Sequence, residues 1–465
     1  MPYARRVILP TFLLTEVCDK HDDGAISQTI PTTSSTNVTT YYTKTVGDGY
    51  NRLPVVLQGN GAPWQEACLY ILSRLESAYR PHMSTYSSIA DDLTHFRRFL
   101  ESDDIDFTHF PKSKPFRPTY RYRAHLELHI HCGEISPGTA RRRISSVVNF
   151  YRWLNVEDIL KPENSPWKES EKLFQYKDSK GFFHYKNVKT TDLKINIPQQ
   201  AMTFSQDIDD GGKLRPLTPE EQKQVLMALK ALKNTEMSLV FWLALFTGAR
   251  MQSILTLRLR HVQLVIPDNV FEIPLLIGPG TSIDTKNDKR MTLFVPIWLM
   301  NSLRIYSISD RAMRRRNLAG NHDDDHYLFL SRNGKPLYLS KVDQQFSADN
   351  SSHRSASGEA IRQFLNDRIM PQIKLQCGLN MKFRFHDLRA SFGMNLTESQ
   401  MKLVECGKTT LHKMRLYVKD RMGHSSITTT DLYLNYGNNK VYALQAQSDY
   451  ESYLMNLIAT CESAL

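Results

Sequence analysis

The sequence predicts a mainly α-helical protein with a small β-sheet, in which an all-helical domain is followed by a mixed α+β domain. Three observations lead to this prediction. The chain has 465 residues, which is more than one comfortable domain. Apolar residues recur at helical spacing from about Ala62 onward. A Gly211-Gly212 pair followed by Pro216 then separates the first helical stretch from a second one, which a β-like patch interrupts.

These changes of pattern divide the chain into five predicted segments. The first is rich in Ser, Thr, Asn, Asp and Gly over residues 19–60, so we expect an irregular arm or small appendage. The predicted segments are an arm at 1–61, a helical domain at 62–156, a linker or insertion at 157–214, a mixed domain at 215–440 and a helix at 441–465.

Four helices are predicted in the helical domain. Their sequences are "WQEACLYILSRLESAY", "STYSSIADDLTHFRRFL", "YRYRAHLELHIH" and "PGTARRRISSVVNFYRWL". The last begins with Arg141, Arg142 and Arg143, while Ile144 and Val147 lie on its other side. We expect these arginines to contact phosphates, and the alternative is a solvated run of charge.

The mixed domain has a clear beginning and an amphipathic end. Thr218 is a suitable N-cap, with Glu220 and Glu221 in the first turn. The β-like patch comprises "VQLVIPDNVFEIPLLI", "TSIDTKNDKR" and "MTLFVPI". At the carboxyl end, helical spacing places Tyr450, Leu454, Leu457 and Ile458 on one face, and such a stripe must be buried somewhere.

The overall composition favours a polyanionic partner in a reducing compartment. The formal net charge is +11 and the pI is near 9.2. The six cysteines are scattered singly, which gives neither a zinc ribbon nor a disulfide framework. The amino terminus is a poor signal peptide and no apolar stretch is long enough to span a membrane, so we expect a cytoplasmic protein without a membrane partner.

Three short motifs carry candidate chemistry. In "HDLR", His386 and Arg389 lie three apart and can together grip a phosphate. Arg250 in "FTGAR" follows an apolar helix at a Thr-Gly break, where a guanidinium needs an anionic partner. "DTKNDKRMTLFVP" predicts a hairpin with Lys286 at its tip. Each motif has a plain alternative: a salt-bridged surface helix, an internal ion pair and a solvated lysine, respectively.

Two other runs resemble metal sites only superficially. "HLELH" from His125 lacks the His-Glu order of a zinc protease, and no third ligand is evident nearby. "HDDDH" from His322 groups its carboxylates on one predicted loop, whereas two-metal nucleases collect theirs from separate elements. We therefore predict no metal. No GxxxxGK[ST] sequence is present, so nothing indicates a nucleotide-hydrolysing motor.

Taken together, the motifs resemble the tyrosine recombinase (phage integrase) family. That family's pattern comprises an Arg after a Thr-Gly break, a hairpin Lys, His-x-x-Arg, Gly-His and a Tyr nine residues after that histidine. The corresponding residues here are Arg250, Lys286, His386, Arg389, His424 in "GHSS" and Tyr433. One position departs from the pattern, because Ser253 stands where the family commonly carries an acid that supports the first arginine.

The resemblance implies a fold and an activity. The fold would be a SAM-like α-helical core-binding domain followed by a tyrosine recombinase catalytic domain. The activity would be site-specific breaking and rejoining of DNA through a covalent 3′-phosphotyrosyl link to Tyr433, without metal, ATP or another cofactor. Arg250, Arg389 and His424 would hold the phosphate, His386 would act as base or proton relay, and Lys286, or failing it Lys289, would protonate the leaving oxygen. Tyr436 would be a packing neighbour.

The resemblance also implies an assembly. Double-stranded DNA core sites would bind a dimer on one site and a tetramer in a synapse, with the carboxy-terminal helix packed on a neighbouring protomer or in cis. An accessory directionality factor is left open. Two other functions stay open as well: a type IB topoisomerase or telomere resolvase, and a non-catalytic DNA-binding relative.

Overall fold

The chain folds into two compact units in this computed structural model, one spanning residues 1–199 with 344–354 and the other 200–343 with 355–465. The residues that the structure describes are 3–21, 25–31, 38–45, 49–78, 81–177, 183–196, 207–264, 269–320, 323–346, 356–378 and 380–462. His322 of the "HDDDH" run lies outside them.

The first unit begins with strands rather than with an irregular arm. These strands are β1 (Arg5–Phe12), β2 (Thr15–Cys18), β3 (Ile26–Pro31), β4 (Val38–Thr45) and β5 (Tyr50–Leu57). β1 pairs antiparallel with β5, and β4 lies between β2 and β3 in a three-stranded sheet. The prediction of irregular structure was therefore wrong. Leu53 and Val56 of β5 are buried in the same core as the helices that follow, which gives these strands tertiary support that local polarity does not reveal.

The four predicted helices of the first unit are confirmed. They are α1 (Gln65–Glu76), α2 (Met83–Ser102), α3 (Pro118–His131) and α4 (Pro137–Val156). Their core is aromatic: the rings of Phe96, Tyr122, Phe150 and Tyr151 are fully buried beside Trp64. Aromatic side chains bury large areas each, so this cluster dominates the packing of the unit.

The segment predicted as a linker also contains regular structure. Strands β6 (Glu169–Lys177) and β7 (Phe183–Thr191) pair antiparallel, and Leu193 and Ile195 just after them are buried in the core of the first unit. Further on, β8 (Ile208–Asp209) and β9 (Lys213–Leu214) form a short hairpin. Gly211 and Gly212 make its turn at φ +70° and +149°, so the glycine pair marks a tight turn of the second unit.

The second unit is mostly helical, and besides the β8–β9 hairpin its described residues include a second two-stranded sheet. Its remaining elements are α5 (Pro219–Leu232), α6 (Thr235–Thr247), α7 (Met251–Leu255), β10 (Glu272–Ile277), β11 (Met291–Pro296), α8 (Ile297–Ser307), α9 (Asp310–Ala319), α10 (Lys341–Phe346), α11 (Glu359–Phe364), α12 (Met370–Cys377), α13 (Asp387–Glu405), α14 (Leu411–Met422) and α15 (Ile427–Glu462). The predicted fold class, mainly α with small antiparallel sheets, is confirmed.

Two local predictions in this unit are confirmed by its hydrogen bonds and pairing. Thr218 caps α5 in a capping box, in which its hydroxyl accepts from the Glu221 amide and Glu221 accepts from the Thr218 amide. β10 and β11 pair antiparallel, and the connection between them carries Lys286 in a single 3₁₀ turn. Asn287 and Asp288 adopt positive φ in that turn, in keeping with their prediction as turn residues.

The carboxy-terminal helix is longer than predicted. α15 runs without a break from Ile427 to Glu462, so the predicted helix at 441–465 is the far end of the helix that carries Tyr433. Tyr450 and Leu454 on the predicted stripe are exposed, and the side chains of Leu457 and Ile458 lie outside the described residues. Among the described residues, no helix combines the length and the hydropathy that crossing a bilayer requires.

Candidate active site

Four of the six predicted residues stand at the start of a helix or on a helix of the second unit, and a fifth lies just after a helix. Arg250 and His386 cap α7 and α13, Arg389 lies in the first turn of α13, His424 follows α14, and Tyr433 lies on α15. Lys286 comes instead from the β10–β11 connection. Folding of the second unit thus brings together residues that are up to 183 positions apart along the sequence.

The Thr-Gly break before Arg250 has a steric reason. Gly248 ends α6 at φ +68°, and a Cβ added there would lie 2.5 Å from the ring of Phe392 on α13. The left-handed conformation and the close approach both require glycine. The Gly248 carbonyl then accepts a hydrogen bond of 2.7 Å from Arg389 Nη1, so the break also orients the second arginine.

The centre of the cluster is a carboxylate that the sequence did not point to. Asp210 Oδ2 accepts hydrogen bonds from Arg389 Nε at 3.0 Å, from Tyr433 Oη at 3.1 Å and from His424 Nε2 at 3.3 Å. Its Oδ1 lies 3.7 Å from Arg250 Nη2. Burial acts to raise the pKa of this carboxyl, but the hydrogen bond from His424 and the charges of Arg389 and Arg250 outweigh it, so the pKa lies well below its usual range.

Arg389 is the most firmly held cation of the site. It is 2% exposed, and besides Asp210 and Gly248 it donates to the Met422 carbonyl at 2.6 Å. Arg250 is held less tightly: its Nε is buried and has no hydrogen-bond partner among the described residues. Burial and the neighbouring charge of Arg389 lower the pKa of Arg250 to about 10, so it still carries its charge at neutral pH.

Tyr433 and His424 pack against each other next to this carboxylate. Their rings lie 5.6 Å apart between centroids at an angle of 27°, and Tyr433 is fully buried. Burial and the negative charge of Asp210 raise the pKa of the Tyr433 hydroxyl. Because a carboxylate only accepts, His424 Nε2 carries the proton, and Nδ1 faces the Thr430 hydroxyl at 2.9 Å.

Tyr436 is placed differently. It is partly buried against the hydrophobic cluster that contains Ile208, Leu214 and Met414, in keeping with a packing role.

His386 opens onto a cavity of about 470 Å³ beside the cluster, which Arg250, Lys286 and Arg384 also line. Burial and the charges of Arg389 and Arg250 lower the pKa of His386 to about 4. The imidazole is therefore neutral at neutral pH and can accept a proton. The cavity is rimmed by cations, as expected for a groove that receives a phosphate.

Two lysines of the β10–β11 connection approach the site. Lys286 is exposed, and its Nζ donates to the Gly211 carbonyl at 3.4 Å. Lys289 is partly buried and donates to the Gly423 carbonyl at 2.8 Å, next to His424. Partial burial and the charges of Lys419, Arg250 and Arg389 lower the pKa of Lys289. A lysine with a lowered pKa gives up its proton more readily, so Lys289 remains the alternative to Lys286 as the proton donor.

Ser253, at the position of the missing acid, ties α7 to the same connection. Its hydroxyl donates to the Asp284 carbonyl at 2.8 Å, and Gln252 Nε2 lies 3.3 Å from Asp284 Oδ2. The support therefore goes to the backbone that leads to Lys286 rather than to the Arg250 side chain.

The arginine run of α4 lies in the first unit and is partly engaged within it. Arg141 Nε donates to the Ile195 carbonyl at 3.1 Å, and Arg142 Nη1 forms a 2.6 Å ion pair with the buried Asp92. Burial and the charge of Arg143 lower the pKa of His95 to about 3. A phosphate contact by any of the three arginines stays a prediction.

Of the two runs that resemble metal sites, "HLELH" is described in full, whereas His322 of "HDDDH" lies outside the described residues. In "HLELH", the rings of His125 and His129 lie 4.2 Å apart, and His129 pairs with Glu134. Within the described ranges no three His, Cys, Asp or Glu side chains are grouped closely enough to hold a metal ion.

The feature that sequence reasoning missed is Asp210. Its only local signal is "DDGGK", which indicates a turn but not where the turn points. Lys289 was named only as a substitute for Lys286, because a basic pair three residues apart does not show which member is nearer the site.

Comparisons with known proteins agree with the motifs. A family model described as "Phage integrase family" matches residues 215–439, just under half of the chain. No curated protein matches the chain.

Among solved structures, a Tn1549 transposon integrase (residues 82–397) in complex with circular intermediate DNA is similar at 14% identity and a TM-score of 0.40, covering 79% of this chain and 94% of that one. A lambda integrase (75–356) dimer bound to a COC′ core site gives 14% and 0.42, covering 78% and 94%. A lambda integrase tetramer bound to a Holliday junction gives 14% and 0.40, covering 78% and 77%. Residues 215–439 therefore form a domain that matches the phage integrase (tyrosine recombinase) family.

Proposed function

We propose that the protein is a site-specific DNA recombinase that breaks and rejoins duplex DNA through a covalent bond to Tyr433. The observation that carries the proposal is the convergence on one carboxylate oxygen of the Tyr433 hydroxyl, Arg389 and His424, with Arg250 at the other oxygen. The Asp210 oxygens there stand in for the non-bridging oxygens of a phosphodiester. The proposed nucleophile, Tyr433, and the cations that would bind the phosphate therefore surround the same anion.

The proposed cleavage step balances as follows. Tyr433 Oη bonds to phosphorus, and the bond from phosphorus to the 5′ oxygen breaks. The phenolic proton passes to His386 or through it to water, and Lys286 gives a proton to the leaving 5′ oxygen. Arg250, Arg389 and His424 neutralise the charge that builds up on the phosphoryl oxygens. The phosphotyrosyl bond keeps the energy of the broken link, so rejoining needs no ATP.

DNA core sites, a dimer on one site and a tetramer on two are part of the same proposal. The family match and the charge of +11 support a DNA partner. The two solved lambda integrase assemblies described above are a dimer and a tetramer on DNA, and we carry that assembly over to this chain as a proposal. The domain boundaries at 62–156 and 215–440 remain proposals too.

A covalent trapping experiment tests this function. Nicked duplexes cut from the DNA that flanks the coding region are incubated with the protein, and a covalent complex is sought on a denaturing gel. We expect a complex with the wild type, none with Tyr433→Phe, and a level within about twofold of wild type with Tyr436→Phe, because only the nucleophile needs its hydroxyl. Equal trapping by Tyr433→Phe and wild type would overturn the assignment.

The type IB topoisomerase alternative shares this chemistry and is separated by specificity. Relaxation of a supercoiled plasmid without preference for any site would favour it over a recombinase. DNA binding with no covalent complex for any flanking site would favour the non-catalytic relative.

A further inference from the structure

The site that the proposed function gives to a DNA phosphate is already filled by a carboxylate of the same chain. Asp210 is bonded to Arg389, His424 and Tyr433 and has 6% of its side chain exposed. A phosphodiester carries the same charge and would need the same donors. Two anions cannot share these donors without repulsion in a partly buried, low-dielectric site.

The hairpin that carries Asp210 has a buried base and very short strands. Ile208 and Leu214 are 2% exposed and pack in the cluster that contains Met422 and Tyr433. The strands between them are only two residues long each. Within the turn the Asp210 amide donates to the Gly212 carbonyl at 3.1 Å. Within the hairpin, few backbone hydrogen bonds therefore have to break for the tip to move while its base stays in place.

The same hairpin also engages the lysine assigned as the acid. Lys286 Nζ donates to the Gly211 carbonyl, and a Cβ added at Gly211 would lie only 2.4 Å from that Nζ. Arg384, which lines the cavity, donates to the Lys213 carbonyl. One movement of the tip would thus clear the anion site and release two cations of its rim.

We propose that the 208–214 hairpin is an autoinhibitory plug, in which Asp210 competes with the scissile phosphate for Arg250, Arg389 and His424. This inference rests on the proposed function. In the free protein, Asp210 holds Tyr433 and the cations of the site. When DNA binds elsewhere on the protein, one of its phosphates displaces Asp210. The apparent affinity of the site for a phosphate is then reduced by the fraction of molecules in which the plug is seated.

The alternative role for Asp210 is that of a base for the Tyr433 proton, since the hydroxyl donates to it. That role needs Asp210 to stay seated while the phosphate binds, and the contacts with both arginines oppose this. Replacing the carboxylate separates the two roles, because loss of a competitor raises cleavage whereas loss of a base abolishes it.

The test compares Asp210→Asn with Asp209→Asn, its exposed neighbour on the same hairpin. Asparagine keeps the shape and removes the charge. With inorganic phosphate as the probe, isothermal titration should show binding at least about fivefold tighter for Asp210→Asn than for wild type or Asp209→Asn, the low end of ordinary coupling between two ligands. Covalent trapping on the nicked duplex should rise by a similar factor.

Three results would overturn the plug. One is loss of trapping by Asp210→Asn with DNA binding retained, which assigns Asp210 a catalytic role. The second is unchanged phosphate affinity, and the third is an equal gain in Asp209→Asn. If no variant traps DNA at all, the proposed function fails, while the phosphate titration still decides whether Asp210 competes with an anion.

A second measurement covers the case in which Asp210→Asn does not fold. In wild type, saturating phosphate should accelerate amide hydrogen exchange in peptides that contain residues 208–214, because the tip leaves the site. Exchange that stays unchanged while phosphate is bound would overturn the proposal.

Discussion

At the residue scale, Gly393 shows how closely the backbone of α13 packs against the Tyr433 ring. It lies within α13, where a Cβ would approach Tyr433 Cε1 to 2.5 Å and Met422 Cε to 2.9 Å. A glycine in a helix interior normally costs about 1 kcal/mol relative to alanine. The space that a Cβ would take at this position is occupied by the Tyr433 ring.

We expect Gly393→Ala to lower the free energy of unfolding by about 1–3 kcal/mol, as overpacking does, and to reduce covalent trapping sharply. Gly437→Ala on α15 is the matched control, because the nearest atom to its Cβ, Met394 Cε, lies 3.4 Å away and can shift. It should be neutral or stabilising by up to about 1 kcal/mol. Thermal unfolding and trapping measure both effects, and equal behaviour of the two variants would contradict the steric argument.

The proton donor can be tested with a modified leaving group. Lys286→Ala should slow cleavage by about 10²-fold or more, in the range of general acid catalysis. A sulfur in place of the 5′ oxygen leaves without a proton, so a 5′-bridging phosphorothioate should restore the rate. Rescue of Lys289→Ala instead of Lys286→Ala would move the role to Lys289, whose ammonium is the more buried of the two.

The motifs predicted which residues form the candidate site, but they did not reveal Asp210, which only the fold of the chain brings there. Arg389, His424 and Tyr433 meet at one point, as the resemblance to the recombinase family implies. Asp210 lies 179 positions before Arg389, and no local pattern shows that a turn after the glycine pair folds back into the site. The burial of Ile208 and Leu214 against α13–α15 and the hydrogen bond from the Arg215 amide to Asp387 fix that direction.

At the scale of elements, helix α4 presents two neighbouring arginines in different roles. Arg142 is exposed and pairs with Asp92, which is 1% exposed, whereas Arg143 is partly buried. We expect Arg143→Gln to weaken DNA binding and to reduce the slope of log K against log salt by about 1. Arg142→Gln should leave a buried carboxylate unpaired, and because Arg142 is half exposed the cost in stability should be only about 1 kcal/mol.

Binding isotherms at several salt concentrations, together with thermal unfolding, separate these two arginines. If the salt slope is the same for Arg143→Gln as for wild type, the run is a solvated face and carries no phosphate contact.

Elements also show why the helices were predictable and the first strands were not. A helix can be recognised from the spacing of residues within its own segment. The Thr218 capping box and the apolar periodicity of α4 are examples. β1 instead pairs with β5, so that Arg5 faces Leu57 across the two-stranded sheet. Pairing over such a separation leaves little trace in local composition, and a stretch rich in Ser and Thr then resembles a loop.

For the molecule as a whole, α15 is long enough to reach from the buried Tyr433 to a stretch of helix that is exposed. Tyr433 lies in its buried first part, whereas residues 447–456 are all exposed, including Tyr450, Tyr453 and Met455. The same stretch carries Asp449 and Glu451. An exposed apolar and acidic helix end is typical of a segment that binds a partner.

The second unit also offers a surface that such a segment would fit. A groove of about 890 Å³ is lined by Trp242, Phe246 and Trp298, with Lys230 and Arg311 at its rim. Its aromatic lining suits the tyrosines and the methionine of α15, and Lys230 suits Glu451. We therefore expect the distal helix of one protomer to occupy the groove of another copy when two DNA sites are brought together.

Deletion of residues 441–465 tests this assembly without touching Tyr433. The shortened protein should still bind a single core site, but it should no longer form tetramers on paired sites, as measured by light scattering and native gels. Trp298→Glu in the full chain is the complementary variant, because it places an acid in the groove and should repel the acidic helix end. Because α15 is continuous, a helix end held by a neighbour would also restrain Tyr433, so both changes should alter how many active sites cleave at one time. Tetramers that persist in the truncated protein would mean that α15 packs in cis and that another surface holds the synapse together.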